Sequence, residues 1–194
     1  MRQDLIDIHD RGMEFASYRD RLKVHADRFD LVYRQLDGVT RDERGNGPLG
    51  SSRILVLTED FCIDSVLNVP LIARLQETSP AARVRFASRD AHQTIAREFP
   101  GRDGRSRVPT VIFLTERGFL QGYWSERSAP DHAWMADFLA TDPIPPITLQ
   151  DGYPAKVLAE WMTRRFEAQL PFFLDESWRS ARDELAAIAA EALT

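Results

Sequence analysis

Apolar residues recur every three or four positions from Phe15 to Leu36, through Tyr18, Leu22, Ala26, Phe29, Val32 and Tyr33. That period marks an amphipathic helix with one covered face. Gly12 separates a short first helix from this longer one. Ser17 followed by Asp20 has the spacing of a capping box, which places the start of the second helix there. Residues 37–52 then bring Gly38, Gly45, Gly47, Pro48 and Gly50 among charges, the composition of a linker or exposed loop, so a boundary falls near residue 50.

The pattern changes after that boundary. Arg53 to Thr58 is a continuous apolar run of strand length, as in a sheet covered on both faces. Asp64 to Glu77 returns to helical spacing, with Pro70 predicting a kink. Val84 to Ser88 reads as a second strand, and Asp90 can cap a short helix through Phe99. Val111–Thr115 and Phe119–Trp124 are two strand-like runs three residues apart, a separation that demands an antiparallel hairpin. A helix from Asp131 to Leu139 completes a βαβα-ββα order. Past Pro143-Ile144-Pro145-Pro146 lie two further amphipathic stretches, Ala155–Leu170 and Glu176–Leu193, the second rich in alanine. The division is therefore 1–50 as a helical extension with linker, 51–141 as an α/β core, and 142–194 as a C-terminal helical extension packing on it.

Composition narrows the function classes. At 194 residues and 43% hydrophobic content the chain suits one packed domain with appendages. The net charge of −5, with acids and bases interleaved, disfavours a nucleic-acid surface. No apolar stretch reaches the length of a membrane span, and the N-terminus lacks the apolar core of a signal peptide, so no membrane partner and a cytoplasmic location are expected. His9, His25, His92 and His132 lie in four different elements, so neither a metal nor another cofactor is expected. Self-association through the extensions stays open, without direct support.

One cysteine occurs in the chain. A single thiol excludes an intrachain disulfide and fits a reducing compartment. Cys62 closes the first strand-turn and opens a helix in Phe61-Cys62-Ile63-Asp64-Ser65. A thiol there meets unpaired N–H groups and the positive end of the helix dipole, which favour its nucleophilic thiolate. Forty-seven residues on, Arg107-Val108-Pro109-Thr110 leads directly into a strand.

These two motifs, in this order of elements, resemble the thioredoxin superfamily, and most of all its cytoplasmic bacterial members with a single active-site cysteine. The resemblance covers roughly residues 50–141. It implies a thioredoxin-like fold: a mixed four-stranded sheet with helices on both faces. It also implies that Cys62 occupies the place of the first active-site cysteine and that Pro109 is the cis proline beside it. Phe61, Arg107, Val108 and Pro109 would then border a partner's backbone, and Cys62 would act on a protein disulfide or a low-molecular-weight thiol.

Departures from the family pattern shape the expected chemistry. Ser65 stands where a resolving cysteine would be, so an external thiol has to release any adduct of Cys62. Ser65 either donates a hydrogen bond to the Cys62 thiolate or bonds local backbone in the first helical turn. Val56 stands where dithiol members often bury a carboxylate. Glu59, Asp60 and Asp64 raise the thiol pKa if they come close, against the helix terminus; Arg107 is the cation positioned to offset them, or is an ordinary loop arginine. Trp124-Ser125-Glu126-Arg127, just after the hairpin strand, either borders the active-site groove or is a solvated loop, and the second is the reading taken for its two charges. Two functions follow: a monothiol protein exchanging disulfides or forming mixed disulfides through Cys62, or a noncatalytic module that keeps the fold around a vestigial cysteine.

Overall fold

The computed structural model describes residues 1–37, 47–146, 149–150 and 153–191. Most of the expected linker, 38–46, lies outside them, as do residues 192 and 193 of the expected last helix. Helices α1 (Gln3–Arg11), α2 (Phe15–Arg19) and α3 (Ala26–Gln35) precede strand β1 (Arg53–Thr58). Helix α4 (Ile63–Glu77), strand β2 (Arg83–Ser88) and the short helix α5 (Gln93–Ala96) follow. Strands β3 (Thr110–Leu114) and β4 (Leu120–Ser125) lead to helix α6 (Ala129–Thr141). A two-residue hairpin, β5 (Leu149–Gln150) with β6 (Tyr153–Pro154), introduces α7 (Lys156–Phe172), which runs through a π-helical turn at Phe173–Ser177 into α8 (Trp178–Ala190).

The main sheet has the order β2-β1-β3-β4, with β1 parallel to β2 and antiparallel to β3, and β3 antiparallel to β4. This is a mixed four-stranded sheet of the thioredoxin-like type. Alternation along β1 splits the core into two layers. Ile54 and Val56 join the larger cluster, with Phe29, Leu67, Phe113 and the apolar sides of α7 and α8, whereas Leu55 and Leu57 join Leu5, Ala96, Phe99 and Ile112 on the opposite face.

Both terminal extensions are built into these layers. Met13 exchanges backbone hydrogen bonds with Phe86 (2.9 and 2.8 Å), which shields part of the outer edge of β2. Tyr18 stacks on Phe86 at 5.4 Å, and Phe15 tilts against it at 5.8 Å. At the other edge, Trp124 of β4 donates Nε1 to Glu184 of α8 at 2.7 Å. Trp161 and Trp178 are buried against the larger cluster.

Three helical expectations are corrected. The helix expected to start at Ser17 and run to Leu36 is two helices: the first begins at Phe15 with Glu14 as its N-cap, and the break after it arises because the backbone N–H groups of Lys23 and Val24 turn to Asp60 Oδ2 (2.8 and 3.2 Å) and His25 adopts φ +60°. The helix expected from Asp90 to Phe99 is a 3₁₀ turn followed by four α-helical residues. The separate C-terminal helices are joined without a break by the π-helical turn.

The stacking of Phe15 and Tyr18 on Phe86 yields a test. Phe86 is fully buried, so Phe86→Ala should cost about 3–5 kcal/mol in urea unfolding. A loss below about 1 kcal/mol would mean that the N-terminal helices do not pack there in solution.

Candidate functional site

Cys62 is the N-cap of α4, in extended conformation, and its carbonyl accepts the first helical bond from Val66 at 3.0 Å. The residue is half-buried. The Val108–Pro109 peptide bond is cis, and the Cys62 S–H donates to the Val108 carbonyl oxygen at 3.4 Å. The structure therefore brings together Cys62, Val108 and Pro109, with the partly exposed Phe61 beside them. A cleft of about 360 Å³, lined in part by Phe61, opens between Tyr18 and Leu22 of the N-terminal extension and the end of β1.

The other sequence candidates are placed differently. Ser65 is fully buried, and its hydroxyl has no hydrogen-bond partner among the described residues. Its backbone N–H, like that of Asp64, is oriented to the sulfur and favours the thiolate. Arg107 turns to Asp103. Glu59 accepts from Ser88 and the Asp90 backbone, and Asp60 from Lys23 and Val24, so both carboxylates are engaged on the side of β2 and the N-terminal extension.

Asp64 is the carboxylate that matters. Its Oδ2 lies 3.9 Å from Cys62 Sγ. Arg127 grips it in bidentate fashion, Nε to Oδ1 at 3.0 Å and Nη2 to Oδ2 at 2.8 Å, and Arg165 donates to Oδ1 at 2.5 Å. All three side chains are nearly dry, at 3%, 10% and 6% exposure for Asp64, Arg127 and Arg165. The expectation of solvated charges at Glu126 and Arg127 is thus corrected. Glu126 takes φ +71°, donates its N–H to Pro109 at 2.8 Å, and its carboxylate also holds Arg127 at 2.6 Å. Asn68 ties the same loop to α4 by donating to the Glu126 carbonyl at 3.4 Å and the Asp64 carbonyl at 3.1 Å.

Electrostatics follow from this packing. Burial, and next the Asp64 charge, push the Cys62 thiol up to about 11, and Arg165 opposes them. Burial alone would raise Asp64 as well, but Arg127 and Arg165 outweigh it and hold the carboxyl at about 2. Burial raises Glu126, with Asp64 adding to the effect. At rest the site therefore holds a protonated thiol beside an ionised carboxylate. Arg165 had no local signal in the sequence: it lies on an amphipathic helix 101 residues from its partner. Among the described residues no group of three His, Cys, Asp or Glu could hold a metal ion, and no helix is long and apolar enough to cross a membrane.

Strand order, the cysteine at the first strand-to-helix turn and the cis proline facing it define a thioredoxin-like protein. A thioredoxin family model (Thioredoxin_9) matches residues 12–139, well over half of the chain, and the chain belongs to that family. Among solved structures it is similar to a Pseudomonas aeruginosa protein of unknown function, at 18% identity and a TM-score of 0.61 over 96% of this chain and 97% of that one. It is also similar to an HIV epitope-scaffold, at 19% identity and a TM-score of 0.54 over 86% of this chain and 97% of the scaffold. At these identities the likeness is one of fold. No curated protein matches the chain.

Two outcomes are expected for the ion cluster. Arg127→Leu should destabilise the protein by roughly 3–5 kcal/mol in urea unfolding, because it leaves Asp64 half-compensated in a dry site. The second concerns pH. Asp64 has a folded-state pKa lowered from 3.8 to about 2, so its contribution is fully present above 3.8 and is lost as pH falls toward about 2. The stability advantage of the parent protein over Asp64→Asn should shrink by roughly 2 kcal/mol across that window. Burial raises Glu126 and Asp131, and Asp64 adds to both shifts, so in the parent both titrate above that window. A pH-independent difference would show that the arginines do not hold the carboxylate ionised.

Proposed function

We propose that this is a monothiol thioredoxin-like protein of the bacterial cytoplasm, in which Cys62 forms mixed disulfides that an external thiol resolves. The observation that carries the reading is Cys62 Sγ, half-buried at the start of α4 and 3.4 Å from the Val108 carbonyl beside the cis proline. A partner's extended backbone would lie along Val108 and present a disulfide to the sulfur, with Phe61 flanking it. The Cys62 thiolate attacks one sulfur of the partner disulfide, a Cys62–partner disulfide forms, and the second partner sulfur leaves as a thiolate that takes up a proton. An external thiol then attacks the partner's sulfur, releases Cys62 as a thiolate, and leaves as the new disulfide with the partner. The compartment is inferred from Cys62 being the only cysteine. Protein disulfides and low-molecular-weight thiols are the proposed partners.

A second reading has its own support. With the thiol at about 11, only about one molecule in ten thousand carries a thiolate at neutral pH. That favours a noncatalytic module in which Cys62 is vestigial. Incubation of the intact protein with oxidised glutathione at pH 7.5 and 9, followed by whole-protein mass spectrometry, separates the two. The monothiol reading expects one glutathione adduct, formed faster at pH 9, removed by dithiothreitol and absent from Cys62→Ser. No adduct at either pH would leave the noncatalytic reading standing.

A further inference from the structure

We infer that the C-terminal extension completes the thiol site: Arg165 of α7, working with Arg127 on the Asp64 carboxylate, is a positioning residue for Cys62. The inference takes from the monothiol reading only that Cys62 is the reacting group. The arrangement is costly. Two guanidinium groups and a carboxylate at 3–10% exposure have surrendered most of their hydration, and each would be several kcal/mol better off in water. That cost falls at the chain's only thiol, where Asp64 Oδ2 lies 3.9 Å from the sulfur.

The orientation of Arg165 is itself built. Its Nε donates to Gln169 Oε1 at 3.2 Å, one helical turn along α7, and Gln169 Nε2 donates to Asp131 Oδ1 at 3.0 Å. Asp131 in turn accepts from Ser177 of the π-helical turn and from Ser128 at the start of α6. A chain of buried hydrogen bonds thus runs from the π-helical turn to the Asp64 carboxylate beside the thiol, with each polar partner held by the next. π-helical turns inside α-helices are frequent at functional sites.

The charges facing the sulfur come from three directions. Asp64 is on its own helix, Glu126 and Arg127 are in the loop after β4, and Arg165 is on α7, while Arg107 is drawn away to Asp103. His132, on α6, is held near 4 by burial and by Arg127, so it is neutral at neutral pH. Arg165 is therefore the cation that the core cannot supply for itself. With its charge in place, Asp64 is pinned by both arginines and the thiolate is opposed by a compensated carboxylate. With its charge gone, Asp64 acts on the sulfur with only Arg127 to balance it.

The test is the pH dependence of Cys62 alkylation by iodoacetamide, followed by mass spectrometry in the full-length protein. This readout does not depend on disulfide exchange, so failure of the glutathione experiment and failure of this one are distinguishable. Arg165→Met should move the alkylation profile up by about one pH unit, which is about tenfold slower reaction at a given neutral pH. Arg165→Lys should recover most of the parent rate. Asp64→Asn should move the profile down and speed the reaction by about tenfold or more. A folded Arg165→Met, by circular dichroism, with a profile superimposable on the parent's would reduce Arg165 to a structural ion pair and overturn the inference. Should Arg165→Met not fold, Arg165→Gln, which loses the charge but keeps an amide donor, decides: a profile superimposable on the parent's overturns the inference, and an upward move upholds it.

Discussion

One buried carboxylate organises the molecule around its thiol. Asp64 projects from the first turn of α4 into a dry space where no single segment of chain could satisfy it. Bidentate contact with Arg127 fixes the loop after β4, and contact with Arg165 fixes α7 against α4. Breaking either pair leaves an uncompensated charge in low dielectric, which is dearer than losing an apolar contact of the same size. Loop, helix and cysteine turn are therefore mutually dependent in a way that apolar packing, tolerant of small repacking, does not enforce.

The sheet supplies the frame in which this can happen. Both of its faces are covered, and its edges at β2 and β4 are met by the N-terminal bridge at Met13 and by α8. The extensions behave as layers of the core, not as ornaments on it: Leu5, Phe29, Phe173 and Leu185 are as buried as the strand residues they cover. A covered sheet leaves the first strand-to-helix turn and the loop at Pro109 as the place where backbone and a thiol approach one another near solvent.

How far this was legible from sequence depended on the range of the signal. The continuous apolar runs at Arg53–Thr58 and Val111–Thr115, the three-residue hairpin loop and the cysteine at a strand-to-helix turn are local patterns; the first strand lies where its pattern put it, and the second is displaced by one residue, to Thr110–Leu114. The helical period from Phe15 to Leu36 was also real, yet it concealed a break, because the acceptor that pulls Lys23 and Val24 out of the helix, Asp60, lies 37 residues further on. Arg165, and the partner of Arg127, were illegible for the same reason. An arginine on an amphipathic helix or in a loop has solvent as its default partner, and only the fold reveals that the partner is a carboxylate 63 or 101 residues away.

The placement of that carboxylate also bears on how the thiol loses its proton. The family's dithiol members often bury an acid on the first strand, at the position that Val56 fills here with an apolar, fully buried side chain. Asp64 restores a carboxylate to the neighbourhood from the helix side, but it cannot serve as a base at neutral pH. Two guanidinium groups hold it at about 2, far below the thiol at about 11, so proton transfer from Cys62 to Asp64 is strongly uphill. The S–H instead donates to the Val108 carbonyl, which stabilises the protonated thiol and accepts no proton itself. Deprotonation of Cys62 must then rely on solvent, and the arginines reduce the charge the resulting thiolate has to face.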